Sequence, residues 1–168
     1  NTITNVQWNP TQYHLLAVIK HLTQQPSVLI NSETLEQLPL EGISKEGARG
    51  LDWNRDGTLL AVGDNEGMLS LFDPQGNLKR QVKLDARSLL AIKWHPIEPI
   101  IAAVGADITL YNLETDSLVK IIPREKEVLQ LSIDWHPSGA FFTTGDYGDP
   151  DHGLEPLLQF WDKSGARI

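Results

Sequence analysis

Short apolar runs separated by turn residues dominate this chain. The longest of them are Leu15–Ile19, Leu59–Val62 and Ile100–Val104. All three are far shorter than the roughly 20 apolar residues that cross a membrane. Residues Leu78 to Leu84 instead alternate apolar and polar positions, which is the period of a half-exposed strand. The nearest approach to helical periodicity, Ser32–Leu38, is stopped by Pro39. The pattern therefore predicts an all-β chain.

These strands recur as an internal repeat that is marked by tryptophan. A Trp closes an apolar strand and precedes a turn four times, at Trp8, Trp53, Trp94 and Trp135. The spacings are 45, 41 and 41 residues, a period typical of four strands per propeller blade. A short apolar strand, a loop, a third strand and a tight turn follow each Trp. Because the four Trp share one register, we expect them to be core anchors, with Trp53, Trp94 and Trp135 buried between neighbouring units.

The repeat resembles the WD40 repeat family, most closely over residues 51–73, over residues 133–139 and in the pair Trp161-Asp162. The resemblance covers essentially the whole chain, as about 3.75 repeats. It implies a β-propeller with blades of four antiparallel strands, labelled a to d from the central channel outward. The expected blades span residues 1–41, 48–84, 89–122 and 128–168. The family's Gly-His pair before strand a is absent, and its structural Asp after strand b is matched only by Asp64 or Asn65.

The repeat count predicts an incomplete ring. The sequence contains four strands a, four b and four c, but only three complete strands d, and four repeats of this kind normally belong to a ring of seven or eight blades. The chain begins at Asn1 and its single Met is Met68, so we expect a processed chain or a part of something longer. Open blade faces expose apolar surface and strand edges. We therefore expect completion by further blades or self-association with a second copy.

Composition and charge narrow the range of functions. The 168 residues include 14 Lys plus Arg against 22 Asp plus Glu, a net charge of −8. Such a chain lacks the basic face that phosphate contacts need, so nucleic acid is not expected as a partner. There is no Cys, which excludes disulfides, thiolate metal sites and a Cys nucleophile. No signal-peptide pattern is present, and we expect a cytoplasmic protein without membrane insertion.

No group of residues indicates catalysis, a metal site or a cofactor. Nucleotide-binding loops and nucleophile motifs are absent from the sequence, and we expect no enzyme. His95 and His136, both in Trp-His-Pro, are interpreted as turn residues. The residues that precede each Trp share one register and are expected to pair between neighbouring blades, Lys93 with Asp52 or Asp134. These four residues are Gln7, Asp52, Lys93 and Asp134.

The fourth repeat carries an insertion between its strands b and c. Residues 145–156 hold four acids, one His and three Gly, so a Ca²⁺ loop is conceivable because Ca²⁺ takes six to eight oxygen ligands. The segment lacks the spacing of an EF-hand and contains two Pro. We therefore interpret it as a solvated loop that faces a partner.

The resemblance implies a non-catalytic scaffold that binds protein partners on the rim formed by the d–a and b–c loops. The expected partner-binding residues are Lys45, Arg49, Asp64, Glu66, Arg87, Arg124, Lys126, Asp146, Tyr147, Asp149, Asp151, His152 and Glu155. Two alternatives stay open at this point. The chain could be a fragment of a propeller enzyme with a polar site facing the channel, or a purely architectural part of a larger multidomain protein.

Overall fold

The computed structural model describes residues 2–22, 24–85, 87–124 and 128–168. They form four antiparallel sheets, here called blades 1 to 4. Blade 1 contains β1 (Thr2–Trp8), β2 (Leu15–His21), β3 (Val28–Asn31) and β4 (Gln37–Pro39). Blade 2 contains β5 (Ala48–Trp53), β6 (Leu60–Asp64), β7 (Met68–Phe72) and β8 (Leu78–Lys83). Blade 3 contains β9 (Ala91–Trp94), β10 (Ile100–Val104), β11 (Ile108–Asn112) and β12 (Ser117–Ile121). Blade 4 contains β13 (Gln130–Trp135), β14 (Phe141–Asp146) and β15 (Leu158–Asp162).

The strand order within each sheet follows the chain, so every blade is an antiparallel meander. The predicted architecture is confirmed: three blades have four strands and the fourth has three. Each strand a ends at its Trp, as expected from the repeat. The predicted insertion lies between β14 and β15 and contains one short 3₁₀ turn, Pro150–His152.

Apolar side chains fill the space between consecutive blades. Trp53, Trp94 and Trp135 are only 4%, 8% and 7% exposed, which confirms that they are buried between blades. Each packs with strands b and c of its own blade against the preceding blade. Trp8 is 51% exposed, because its face of blade 1 meets no other blade in the described part of the chain.

In blades 1 to 3, the side chain before the Trp contacts a neighbouring blade. Gln7 accepts a hydrogen bond from the Trp53 backbone N–H at 3.1 Å, and the Asp52 carboxylate accepts one from the Trp94 backbone N–H at 2.7 Å. The Gln7 amide also donates to Asp52 at 2.9 Å. The Lys93 ammonium lies 3.5 Å from the same carboxylate. The expected pairing between blades is therefore confirmed for Gln7, Asp52 and Lys93, with Asp52 as the acid that Lys93 meets. Asp134 is exposed and forms no such pair among the described residues.

The residue after the Trp adds a second link, which the sequence interpretation missed. His95 is buried, and its Nδ1 accepts hydrogen bonds from two backbone N–H groups of its own turn. The proton therefore resides on Nε2, which donates to the Gly139 carbonyl of blade 4 at 2.9 Å. Asn9 does the same between blades 1 and 2, donating to the Gly57 carbonyl at 2.8 Å. His95 is thus a turn residue and a link between blades as well.

We expect Gly139→Ala to break this second link. Gly139 has a φ of +73°, and a Cβ added there would overlap the His95 ring. Gly153 is a matched control, because its φ is +67° but the space around it is open. Overpacking of a buried site should lower the free energy of unfolding of Gly139→Ala by about 1–3 kcal/mol more than that of Gly153→Ala. Urea unfolding of both variants measures the difference, and equal losses would contradict the link.

Asp52 should give the fold a pH-dependent contribution to stability. Burial raises the pKa of the Asp52 carboxyl above its ordinary 3.8, although the donors from Trp94, Gln7 and Lys93 act to lower it. Because this pKa is raised in the folded state, the folded protein binds the proton more readily than the unfolded chain does. The charged carboxylate therefore lowers the free energy of unfolding at pH 7. This loss of stability becomes smaller as the pH falls toward 3.8.

The non-titrating variant Asp52→Asn isolates this contribution. As the pH falls from 7 to about 4, the wild type should gain stability relative to the variant. Urea midpoints of both proteins across this range test the expectation. A difference that stays constant, or that shifts toward the variant at low pH, would contradict it.

Candidate functional site

The d–a and b–c loops meet at one end of the sheets, because strands that alternate in direction return both kinds of loop to the same end. We call this end the loop face. Backbone hydrogen bonds join the two kinds of loop across it. The Asn65 N–H donates to the Gly47 carbonyl at 3.0 Å, and the Tyr147 N–H donates to the Leu129 carbonyl at 3.0 Å. Loops held in this way form a continuous surface.

A buried carboxylate organises the loops of blade 2. Asp64 is 2% exposed, and one of its oxygens accepts the backbone N–H groups of Glu66 and Met68, both at 2.9 Å. The other oxygen accepts the Ser44 N–H from the preceding d–a loop at 3.2 Å. Asp64 therefore ties the b–c turn to the d–a loop, and a main-chain donor stands where the WD40 pattern has a His.

Asp146 has the same place in blade 4, because Asp64 and Asp146 both end strand b. Its Oδ1 accepts the Gly148 and Leu157 N–H groups at 3.0 and 2.9 Å, which closes both ends of the long loop. The donor from the d–a loop is here Arg124, with Nε 2.7 Å from one carboxylate oxygen and Nη2 3.1 Å from the other. Arg124 also donates to the Glu155 carbonyl at 2.9 Å. This charge pair holds the loop 147–157 against the body of the blade.

A chain of hydrogen bonds crosses the loop face between blades 1 and 3. The Ser88 hydroxyl donates to the Asn65 side-chain oxygen at 2.7 Å. The Asn65 amide donates to the Glu46 carbonyl at 2.6 Å, and it lies 2.6 Å from Nδ1 of His21. Four polar groups from separate loops are thus held in fixed positions beside the start of the inner strands.

Two adjoining depressions follow this polar chain, and we call them together the loop groove. The first has a volume of about 540 Å³ and is lined by His21, Glu46, Arg49, Asn65, Ser88, Leu90, Leu129 and Leu131. The second has a volume of about 370 Å³ and is lined by Val128, Leu129, Tyr147, Gly148, Asp149, Pro150 and Asp151. Leu129 lines both, and the exposed fractions of Leu129, Leu131 and Tyr147 are 48%, 46% and 63%. The groove therefore offers apolar and aromatic surface between polar ends.

The structure divides the predicted partner-binding residues into three groups. Arg49, Tyr147, Asp149 and Asp151 come together in the loop groove, with Asp149 paired to the exposed His152 at 2.6 Å. The other exposed residues lie on the loops around it. They are Lys45, Glu66, Arg87, His152 and Glu155. Lys45 lines a separate depression on blade 1.

The third group of predicted partner-binding residues is largely buried. Asp64 and Asp146 are buried, and the side chain of Arg124 is 14% exposed. Their polar atoms hold loops in place, so these three residues support the surface from below. Lys126 lies outside the described residues.

Sequence reasoning missed most of the residues that line the groove. His21 ends strand β2, Asn65 and Ser88 lie in two different loops, and the three form no motif along the chain. Leu131 did offer a signal, because it follows the buried Gln130 and alternation places it on the opposite side of the strand. Leu131 lies with Leu129 and Leu90 in the same depression, and a contiguous exposed apolar patch of this kind marks a contact surface.

The described residues contain no group of three or more His, Asp or Glu side chains that could hold a metal ion. Ser88 donates its hydroxyl proton to an amide oxygen, which cannot act as a general base. None of the described segments is a helix long and apolar enough to span a membrane.

Arg124→Met should release the long loop of blade 4. The variant leaves the Asp146 carboxylate buried without its cation, which costs about 3 kcal/mol or more for a buried pair. Hydrogen exchange should become faster at the amides of Gly148 and Leu157, whose acceptor is Asp146. Lys79→Met removes an equal charge from a surface pair with Asp73 at 3.6 Å and should change neither amide. Unchanged exchange in the Arg124 variant would contradict this role.

Comparison with known proteins agrees with this architecture. No protein-family model matches the chain. The F-box-like/WD repeat-containing proteins TBL1X of Mus musculus and TBL1Y of Homo sapiens are 29% and 28% identical to it over 100 residues. The match covers 58% of the chain and 19% of each relative, so the chain spans about a fifth of the length of these relatives.

A solved structure shares the fold over the whole chain. Chaetomium thermophilum Sqt1, bound to the N-terminus of the ribosomal protein L10, superposes on 100% of this chain and 48% of its own with a TM-score of 0.81. The two sequences are 14% identical, so this likeness concerns the fold. The Trp-marked repeats, the antiparallel blades and these likenesses together show that the chain has the fold of WD40-type β-propeller blades.

Proposed function

We propose that this chain is a non-catalytic scaffold that binds an extended segment of a partner protein in the loop groove. The observation that carries the proposal is the continuity of exposed apolar and aromatic surface along the groove, from Leu131 through Leu129 to Tyr147. Aromatic side chains are enriched among the residues that dominate binding energy at interfaces. Function of this kind is usually found on loops that a rigid scaffold positions.

The groove is held in shape before any partner arrives. Asp146 and Arg124 fix the loop that carries Tyr147, and the bonds from Ser88 through Asn65 fix the other end. A surface that does not have to be ordered on binding loses less entropy. A flexible partner segment could therefore lie along it without reorganising the scaffold.

Polar groups at the two ends of the groove would orient such a segment. Arg49 lies at one end, and Asp149 and Asp151 lie at the other. A segment with an acidic group at one end and a basic group at the other would match this distribution. The Sqt1 structure, which holds the N-terminus of a ribosomal protein, supports a terminal peptide as the ligand class.

The proposal predicts that partner binding depends on the groove and is insensitive to changes at the opposite end of the blades. Tyr147→Ala and Leu131→Asp should each fail to capture most of the partner protein that the wild type captures from native lysate. Tyr13→Ala is a matched control, because Tyr13 is 80% exposed and lies between β1 and β2, away from the loop face.

Circular dichroism of each variant establishes that it is folded before capture is compared. Loss of one set of proteins with both groove variants, and their retention with Tyr13→Ala, would support the proposal. Equal recovery by all four proteins would contradict it and would favour the purely architectural alternative.

A further inference from the structure

We propose that Arg49 sets the specificity of the loop groove, by pairing with an acidic side chain of the partner segment that lies next to a large apolar one. The inference rests on the proposed function and deepens it, because it names the chemistry of the segment that the groove accepts. Two observations carry it: a position that recurs in all four blades, and the free guanidinium that one blade places there.

The inner strands of three blades have a β-bulge at the same position. The register of β1 with β2 shifts across Thr4, that of β5 with β6 across Arg49, and that of β13 with β14 across Leu131. Each of these residues lies four positions before the Trp of its blade, and Leu90 has the same place before Trp94. A bulge leaves its extra residue outside the strand pairing and re-aims the side chain.

Three of these four side chains come together on the loop face. Arg49, Leu90 and Leu131 come from blades 2, 3 and 4, and all three line the depression of about 540 Å³. Thr4 has a different role, because its hydroxyl donates to the Ala48 carbonyl at 2.6 Å and joins blades 1 and 2. The repeated position therefore places one cation beside two aliphatic side chains.

Arg49 is the only Lys or Arg among the described residues that line the loop groove. Its side chain is exposed, and its guanidinium has no hydrogen bond or ion pair in the part of the chain that the structure describes. Glu46 lines the same depression but forms no ion pair with Arg49. At the other end of the groove, Asp149 already pairs with His152 at 2.6 Å. A carboxylate of a partner would thus bind Arg49 without breaking a contact of the free protein.

The chemistry of this position favours a carboxylate. A guanidinium presents parallel N–H donors that match the two oxygens of a carboxylate. Leu90 and Leu131 offer apolar surface beside it, so we expect the next contact of the segment to be a large aliphatic or aromatic side chain. A neutral segment of the same shape would cover the guanidinium and leave it without a partner, which is unfavourable.

Selection of random peptides displayed on phage tests the proposal. The baits are the wild type, Arg49→Met, Arg49→Glu and Tyr147→Ala, with Arg55→Glu as the matched control. Arg55 is also exposed and unpaired among the described residues, but it lies in the turn between β5 and β6, at the opposite end of the same blade. Arg55→Glu therefore changes the net charge as Arg49→Glu does and leaves the groove intact. Circular dichroism establishes that every bait is folded.

The peptides selected by the wild type and by Arg55→Glu should share an acidic residue next to an apolar one. Arg49→Met should lose this acidic preference, and Arg49→Glu should replace it with a preference for Lys or Arg. A synthetic peptide from the wild-type selection provides the affinity. Exchange of its acidic residue for the corresponding amide should weaken binding to the wild type about fivefold and leave binding to Arg49→Met unchanged.

The outcomes separate this inference from the function on which it rests. If no peptide is selected, or if Tyr147→Ala selects the same peptides as the wild type, both the groove as a binding site and the role of Arg49 are overturned. If the peptides require Tyr147 but lack an acidic residue, or bind the wild type and Arg49→Met equally, only the role of Arg49 is overturned. An equal change of preference in Arg55→Glu would also overturn it, because net charge would then explain the selection.

Discussion

The capture of one blade's tryptophan by the blade before it is the contact on which the rest of the structure depends. A blade is a small sheet with apolar side chains on both faces, and alone it could bury neither. Asp52 shows how the joint is made specific, because it takes the backbone N–H of Trp94 while the indole ring packs in the apolar layer. The bond fixes the register of neighbouring blades, and apolar burial supplies most of the driving force.

Polar side chains have a larger part in these joints than degenerate repeats suggest. Gln7, Asp52 and Lys93 form a connected chain across three blades, and Asn9 and His95 add a second row. The buried side chains of Asp52, Asn9 and His95 all have hydrogen-bond partners, which avoids the penalty of an unsatisfied polar group. His95 of a Trp-His-Pro turn and Asn9 of the Trp-Asn-Pro turn thus join neighbouring blades in a chain that lacks the Gly-His pair of the WD40 pattern.

Buried carboxylates also hold the loops of the loop face together. Asp64 and Asp146 occupy one position in two blades, and each uses its oxygens to hold a b–c loop against a d–a loop. Their donors differ, a main-chain N–H in one blade and Arg124 in the other. Because these buried contacts fix the loop backbone, the exposed side chains on the loops, Tyr147 among them, are held in defined positions.

The sequence by itself determined the all-β class, the strand order, the blade register and the burial of Trp53, Trp94 and Trp135. These features follow from local periodicity, which a single repeat already expresses. Only the tertiary structure decided which charged side chains are exposed on the loop face and which are buried and hold its loops in place. Asp146 and Arg124 look like any loop charge in the sequence. In the structure, the carboxylates of Asp64 and Asp146 accept backbone N–H groups from segments far apart along the chain, and Arg124 donates to Asp146 and to the Glu155 carbonyl. The groove likewise brings together His21, Asn65, Ser88 and Leu131, which are 23 or more residues apart along the chain. No local pattern encodes contacts over such a separation.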